Sequence, residues 1–287
     1  MTDTLPFHVW DVFTDTPFTG NPLAIVETDG SLMSAQMQII ARQFNLSETI
    51  FLMPPRDSAN TARARIFFPT AEIPFAGHPT IGAALFLARR NGHRDIVLEE
   101  EAGNVPVSIA DGTATFTTPV LPKRHGGVLE AELCAAALGL KPSDIGPHWP
   151  GAFAGGPAFA YIPVRDRATL SRAGPQEPAW SRLMAAADVD SAWLYDPDFN
   201  ARMFSPTAGI PEDPATGSAC AILAAQLLAN GALTDGKTRL SIRQGEDMGR
   251  LSRIGFEAEV AGNAIRAIRI LGQAVPVAEG RIRISMA

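Results

Sequence analysis

Two short segments place groups capable of acid/base chemistry where a helix should begin: HPTIGAA at 78–84 and DPATGSA at 213–219. A helix N-terminus presents unpaired N–H groups and about half a positive charge, so it readily holds an anion. Two such ends facing each other would hold an anion. Asp213 reads as an N-cap with Pro214 at the first helical position, and its bland role is simply to cap the helix. His78 occupies the equivalent position of the first segment, where a cation opposes the helix dipole and an Asp or Ser would stabilise more. Local rules tend to be broken in this way at working sites. Gly77, Gly82, Gly217 and Ser218 keep the turns open to a ligand, although close helix packing explains Gly82 and Gly217 equally well. Neither turn is a P-loop, since both lack a Lys, and no GxGxxG, GxSxG or HExxH occurs in the chain.

The elements that position these residues are written twice. RIFFPTAEIP (65–74) and RMFSPTAGIP (202–211) are identical at seven positions, and each precedes one of the two helix starts. GNPLAIV from Gly20 and GGPAFAYI from Gly155 add a weaker echo. The copies lie 135–137 residues apart, close to half of the 287-residue chain, which argues for a duplicated domain. Two copies are too few for a solenoid.

Along the first half, FHVWDVF and PLAIVET read as strands. A helix capped by Ser31 follows, with Met33, Met37 and Ile40 at helical spacing, and then the strands TIFLM and ARARIFF. HPTIGAALFLARR, with Pro79 at its first helical position and apolar residues on every side, predicts a helix buried all round. DIVLEEE, VPVSIA and TATFTTP form a meander with turns at Gly103-Asn104 and Asp111-Gly112. After a Pro/Gly-rich region near 119–128 the plan repeats: a helix ending at Gly139, strands AFAYIPV, SAWLYD and RMFSPT, a helix from Pro214, and a meander from RLSIRQ to AIRAIRIL. The fold class expected is α+β, two pseudo-symmetric domains that each wrap a curved, mostly antiparallel sheet or barrel around a central helix.

Composition narrows the function classes. The net charge of −6 and pI near 5.4 leave no basic footprint for nucleic acid, and no Lys/Arg cluster interleaves with aromatics. The N-terminus has no basic region before a long apolar stretch, and the longest uncharged run, 218–234, is broken by Gln226, Asn230 and Gly231. No secretory signal and no membrane span are expected, and a cytoplasmic location is the default. Cys134, Cys220 and five scattered histidines lack metal-ligand spacing, so no metal is expected.

GNPLAIV (20–26), NLSETIFL (45–52), FPTAEIPFAGHPTIGAA and EDPATGSA (212–219) together resemble the phenazine-biosynthesis (PhzF-like) isomerase family, with weaker support from QGEDMGR (244–250) and AVPVAEG (274–280). The motifs span nearly the whole chain. The resemblance implies a diaminopimelate epimerase-like fold with a ligand cleft between two domains. Residues 1–118 would form the first domain and 119–275 the second, with the strand 276–287 returning to the first. It also implies that Glu48 is the proton-transferring acid/base, with His78, Asp213 and Ser218 around it and the backbone near Gly77 and Gly217 binding the substrate's polar groups.

A lone Glu between helix and strand is ordinarily a solvated loop residue. Glu48, however, heads the apolar run Thr49–Leu52, where desolvation would raise its pKa toward a value suited to giving and taking a proton. The expected reaction is a cofactor-independent isomerisation by proton transfer, its charge delocalised over the substrate's own conjugated system. The expected partner is a small carboxylate-bearing molecule, with a homodimer as the candidate assembly. Two alternatives stand beside it: a two-base racemase of the same fold using Glu48 and Asp213, and a non-catalytic binding protein. A racemase using paired thiols is disfavoured, because neither cysteine stands at a helix start.

Overall fold

The computed structural model describes residues 4–284. The chain forms two compact units, one running to Pro119 and taking back the chain from Leu271 onward, the other spanning Val120–Ile270. In chain order, the first half contains β1 (Thr4–Val12), β2 (Asn21–Glu27), α1 (Ser34–Phe44), β3 (Glu48–Met53), β4 (Ala62–Phe67), β5 (Glu72–Ile73), α2 (Gly77–Asn91), β6 (Asp95–Glu100), β7 (Gly103–Ala110) and β8 (Thr113–Thr117). The second half contains β9 (Lys123–Val128), α3 (Ala131–Ala137), β10 (Gly151–Ala154), β11 (Ala158–Pro163), α4 (Arg167–Arg172), α5 (Ala179–Ala187), β12 (Ala192–Tyr195), β13 (Asn200–Ser205), β14 (Ile210–Asp213), α6 (Gly217–Ala229), β15 (Gly236–Gln244) and β16 (Ser252–Ala261). Strands β17 (Ala264–Gly272) and β18 (Ala274–Arg283) close the chain.

The two halves pair their strands in the same order and with the same senses. In the first, β1 is antiparallel to β2, β2 parallel to β3, β3 antiparallel to β4, β4 antiparallel to β5 and parallel to β6, and β6 antiparallel to β7. In the second, β10 to β16 repeat each of these steps, from β10 antiparallel to β11 through β13 parallel to β15. β18 returns to pair antiparallel with β1. The fold is thus a mixed α/β duplication.

A buried helix lies against each sheet. Every residue of α2 from Gly77 to Leu87 is buried, and α6 is buried from Ala219 to Leu227, as expected of helices apolar on all faces. Each fully buried Leu, Ile or Phe on these helices contributes roughly 1.5–3 kcal/mol. Close packing explains Gly82: a Cβ there would lie 2.5 Å from Leu23 Cδ2 and 2.8 Å from Val12 Cγ2. Among the described residues no helix is long and apolar enough to cross a membrane.

Four local expectations are corrected. Ser31 does not cap α1, because its N–H donates to Asp29 Oδ1 at 2.9 Å; Met33 is the N-cap, its N–H donating to Gln36 Oε1 at 2.9 Å. α2 starts at Gly77, which makes Pro79 its third residue, because His78 is drawn inward onto β2 and β3. Asp213 is not the N-cap of α6; it ends β14, and hydrogen bonds from Thr216 and Gln244 hold 213–216 outside the helix until Gly217. The β6–β7 reversal sits at Glu101-Ala102, since Glu100 pairs with Gly103. The turn at Asp111-Gly112 does form, with positive φ at both residues as a two-residue hairpin requires.

Candidate active site

In the first half, α1 ends at Asn45 in a left-handed cap, and the chain then delivers Glu48 as the first residue of β3, in parallel register with Leu23 of β2. His78, the second residue of α2, points back at it. The Nδ1 of His78 lies 2.8 Å from Oε2 of Glu48, and the two side chains are 2% and 13% exposed. On its far side, Nε2 of His78 lies 3.1 Å from the Asn21 carbonyl oxygen. A carbonyl only accepts, so Nε2 carries a proton. One further proton is then shared across the Nδ1–Oε2 contact, giving either imidazolium and carboxylate or neutral imidazole and carboxylic acid. In both forms the pair is neutral overall, and it holds a single movable proton at the edge of solvent.

In the second half, the Asp213 side chain is nearly buried and its Oδ2 accepts the Thr216 hydroxyl at 2.6 Å. Gln244, at the end of β15 and fully buried, ties this segment together. Its Nε2 donates to the Asp213 carbonyl at 2.8 Å and to Thr216 Oγ1 at 2.9 Å, while its Oε1 accepts from Trp193 Nε1 at 3.0 Å and from Thr216 N at 3.3 Å. Every donor and acceptor of that amide is used. Gly217 and Ser218 follow as the first two residues of α6, Ser218 half-buried. No N-cap side chain closes α2 or α6, since Ala76 has none to offer and Thr216 gives its hydroxyl to Asp213. The first-turn amides of both helices, including those of Gly77 and Gly217, are therefore not occupied by a cap.

The structure thus brings Glu48, His78 and Gly77 together in one cluster, and Asp213, Gly217 and Ser218 in another. The sequence profile described as phenazine biosynthesis-like protein matches residues 10–280. The chain belongs to this family. It is 39% identical to an uncharacterised isomerase of Mesorhizobium japonicum, over 96% of this chain and 98% of the relative. It is 35% identical to the trans-2,3-dihydro-3-hydroxyanthranilate isomerase of Pseudomonas aeruginosa, again over 96% and 98% of the two chains. Its fold matches a PhzF-family phenazine biosynthesis protein of Bacillus anthracis with a TM-score of 0.85 at 25% identity, covering 99% of this chain and 100% of that one. A hydroxyproline epimerase from Agrobacterium vitis shares the fold alone, with a TM-score of 0.65 at 15% identity, covering 99% and 93%. The protein is accordingly an isomerase of the PhzF-like family.

Three residues that hold this PhzF-like arrangement were not singled out by sequence: Asn21, Thr216 and Gln244. Each stands inside a segment that carries the family resemblance, in GNPLAIV, EDPATGSA and QGEDMGR, so the signal was present without a role attached. Gly245 explains part of the last segment. It adopts φ +77°, and a Cβ there would lie 2.7 Å from the Pro214 carbonyl oxygen, so only glycine lets this turn close on the Asp213 segment.

The two thiols are poor acid/base groups. Both are fully buried, and burial pushes Cys134 up to about 12 and Cys220 well above the usual thiol range, with the nearby Asp213 charge adding to the second. A groove of about 560 Å³ in the first unit, lined by His8, Trp10, Phe86 and Arg89 among others, contains none of the candidate residues. Among the described residues no group of three or more His, Cys, Asp or Glu could hold a metal ion.

Proposed function

We propose that this PhzF-like isomerase moves a proton by general acid/base catalysis on a small, carboxylate-bearing, unsaturated substrate, without a cofactor. The observation that carries the proposal is the 2.8 Å contact between Glu48 and an almost fully buried His78. In the imidazolium–carboxylate form, Glu48 accepts a proton from the substrate and the pair becomes cationic beside the delocalised anion. Return of that proton to a different atom on the same face restores the starting state. The first-turn amides of α2 and α6, at Gly77 and Gly217, and the Ser218 hydroxyl bind the carboxylate. Asp213, fixed by Thr216, orients a polar group of the substrate. Trans-2,3-dihydro-3-hydroxyanthranilate, named for the Pseudomonas aeruginosa relative, is the first substrate to test.

A two-base racemase using Glu48 and Asp213 is the second reading, supported by the fold shared with a hydroxyproline epimerase. Incubation with the cyclic dienoic acid and, separately, with amino acids in heavy water, followed by NMR at carbon, separates the two. We expect deuterium in the cyclic acid and none at an amino-acid Cα. Exchange at Cα with inversion would replace the proposal by the racemase, and no exchange in any unsaturated cyclic acid would remove the substrate class.

A further inference from the structure

Glu100 is a buried carboxyl that the proton-transfer mechanism leaves unused. It ends β6 at 7% exposure, and its Oε2 has no hydrogen-bonding partner. Its Oε1 lies 2.7 Å from Thr80 Oγ1, which in turn lies 2.8 Å from the Ala76 carbonyl oxygen. Ala76 is the N-cap of α2, and the next two residues are Gly77 and His78. The threonine has one hydroxyl proton and faces two acceptors. If Glu100 is neutral, it donates to Thr80 and Thr80 donates to Ala76, so the chain of bonds closes. If Glu100 is ionised, the hydroxyl must turn to the carboxylate, and the Ala76 carbonyl loses that bond.

The second half shows what this position is for. There the matching strand end, Gln244 of β15, grips Thr216 at the start of α6 with an amide that cannot titrate. We propose that Glu100 is a positioning residue for the acid/base pair: its neutral carboxyl, acting through Thr80, sets the first turn of α2 and with it the approach of His78 to Glu48, and its ionisation releases that turn. The proposal rests on the reading of Glu48 and His78 as the proton-transfer pair. Burial holds Glu100 protonated up to about pH 8, against the opposing effect of the Thr80 hydroxyl. Among the described residues no ion pair reaches it. On the elements packed against β6, α2 carries His78, Arg89 and Arg90 and β4 carries Arg63 and Arg65, while β7 has no charged residue. His78 is engaged by Glu48, Arg90 by Glu27 and Arg65 by Glu72, and Arg89 lies over Trp10. Asp95 and Glu99 share β6, and Glu99 is taken up by the Arg56 and Asp57 amides and Asn60.

NMR of protein labelled at histidine nitrogen and glutamate carboxyl carbon tests this without a substrate. In the wild type the His78 ring signals should step with the same midpoint, near pH 8, as the Glu100 carboxyl. Glu100→Gln should abolish the His78 step. Thr80→Val should leave Glu100 titrating while His78 no longer follows. A His78 step that survives either substitution, or a Glu100 carboxyl that titrates near 4.5, would overturn the proposal. With trans-2,3-dihydro-3-hydroxyanthranilate in heavy water, Glu100→Gln should also lose the alkaline fall in exchange rate while keeping the rate near neutrality within a few-fold. A wild type that exchanges no substrate would sink the isomerase mechanism, yet the NMR titration would still decide the positioning role.

Discussion

The two halves of the chain share a scaffold and differ in how they wire its polar groups. In each, an arginine of the repeated strand lies over a phenylalanine two residues on and forks onto a glutamate: Arg65 over Phe67 with Glu72, and Arg202 over Phe204 with Glu212. In each, a strand-end side chain reaches a threonine at the start of the central helix. The second half closes that contact with the amide of Gln244, whose donors and acceptors are all matched. The first half uses a carboxyl with one unmatched oxygen, beside a Glu48–His78 pair that holds a movable proton. Duplication kept the frame, while the strand-end contact is a carboxyl in one copy and an amide in the other. A fixed polar network rigidifies its segment, whereas partly matched ionisable groups can change state.

The sharpest way to break this contrast is to remove the movable proton. Glu48→Gln keeps shape and hydrogen-bonding reach but cannot carry the proton, so exchange at carbon should fall by roughly 10²- to 10⁴-fold. Substrate affinity by calorimetry should change little, because the carboxylate is assigned to backbone amides and Ser218. Asp213→Asn should leave a higher exchange rate than Glu48→Gln. Equal losses would mean that both halves move protons and would favour the two-base racemase.

The next test concerns the strand-end pair and has opposite signs in the two halves. Gln244→Leu leaves the Trp193 and Thr216 N–H groups and the Asp213 carbonyl without their buried partner, and should cost about 2–5 kcal/mol in urea unfolding. Glu100→Gln should instead stabilise. The folded-state pKa of Glu100 is raised from 4.5 to about 8, so between those pH values the folded chain binds more protons than the unfolded one. Stability therefore falls as pH rises through that window, and glutamine removes the slope. The gain at pH 7 is of order 3 kcal/mol, shrinking toward zero near pH 4.5. A substitution that destabilises equally at pH 5 and pH 8 would show that the carboxyl is not held neutral.

A smaller difference separates the two arginines. Arg202 adds to its glutamate the carbonyls of Leu170, Ser171 and Ala173, at 3.1, 3.0 and 2.7 Å, whereas among the described residues Arg65 adds the Ser34 hydroxyl at 2.7 Å. Arg202→Ala should cost about 2–4 kcal/mol and Arg65→Ala about 1 kcal/mol, both read from denaturant midpoints. Equal costs would mean that the glutamate fork, not the carbonyl cage, dominates at both places.

The shared scaffold is legible in the sequence, and the difference in wiring is not. The repeat declared the duplication, the all-round apolar runs declared the two buried helices, and His78 stood out because a histidine is a poor residue to begin a helix. Glu48 carried no such mark, since its partner stands 30 positions away and is met only through the parallel register of β2 and β3. Glu48 was supplied by the family resemblance. The helix starts depart from the local expectation because long-range bonds to Gln244, Glu48 and Asn21 outweigh the preference of Asp-Pro and His-Pro for the first turn. α5 places Trp180, Leu183, Met184 and Ala187 at helical spacing, but over only nine residues such a pattern is weak.

The cysteines should matter least to turnover, and the comparison of the halves says why. Aligning HPTIGAA with DPATGSA puts Cys220 of α6 opposite Leu85 of α2, so the first half fills the same place with a plain hydrophobe. Cys134, in α3, sits in an apolar cluster with Leu129, Leu138 and Trp180. With its pKa pushed up to about 12, only about one Cys134 thiol in 10⁴ is ionised at pH 8, and burial pushes Cys220 well above the usual thiol range too. Replacing both by alanine should leave exchange at carbon within a few-fold of wild type. Each loss of a buried sulfur should still lower stability by about 1–2 kcal/mol through the space it leaves. A thiol reagent added to the folded protein should label neither residue until denaturant exposes them. Stoichiometric labelling of Cys220 under native conditions, with parallel loss of activity, would mean that α6 opens far enough to offer its thiol to substrate, and the view of the second half as held fixed by Gln244 would have to be abandoned.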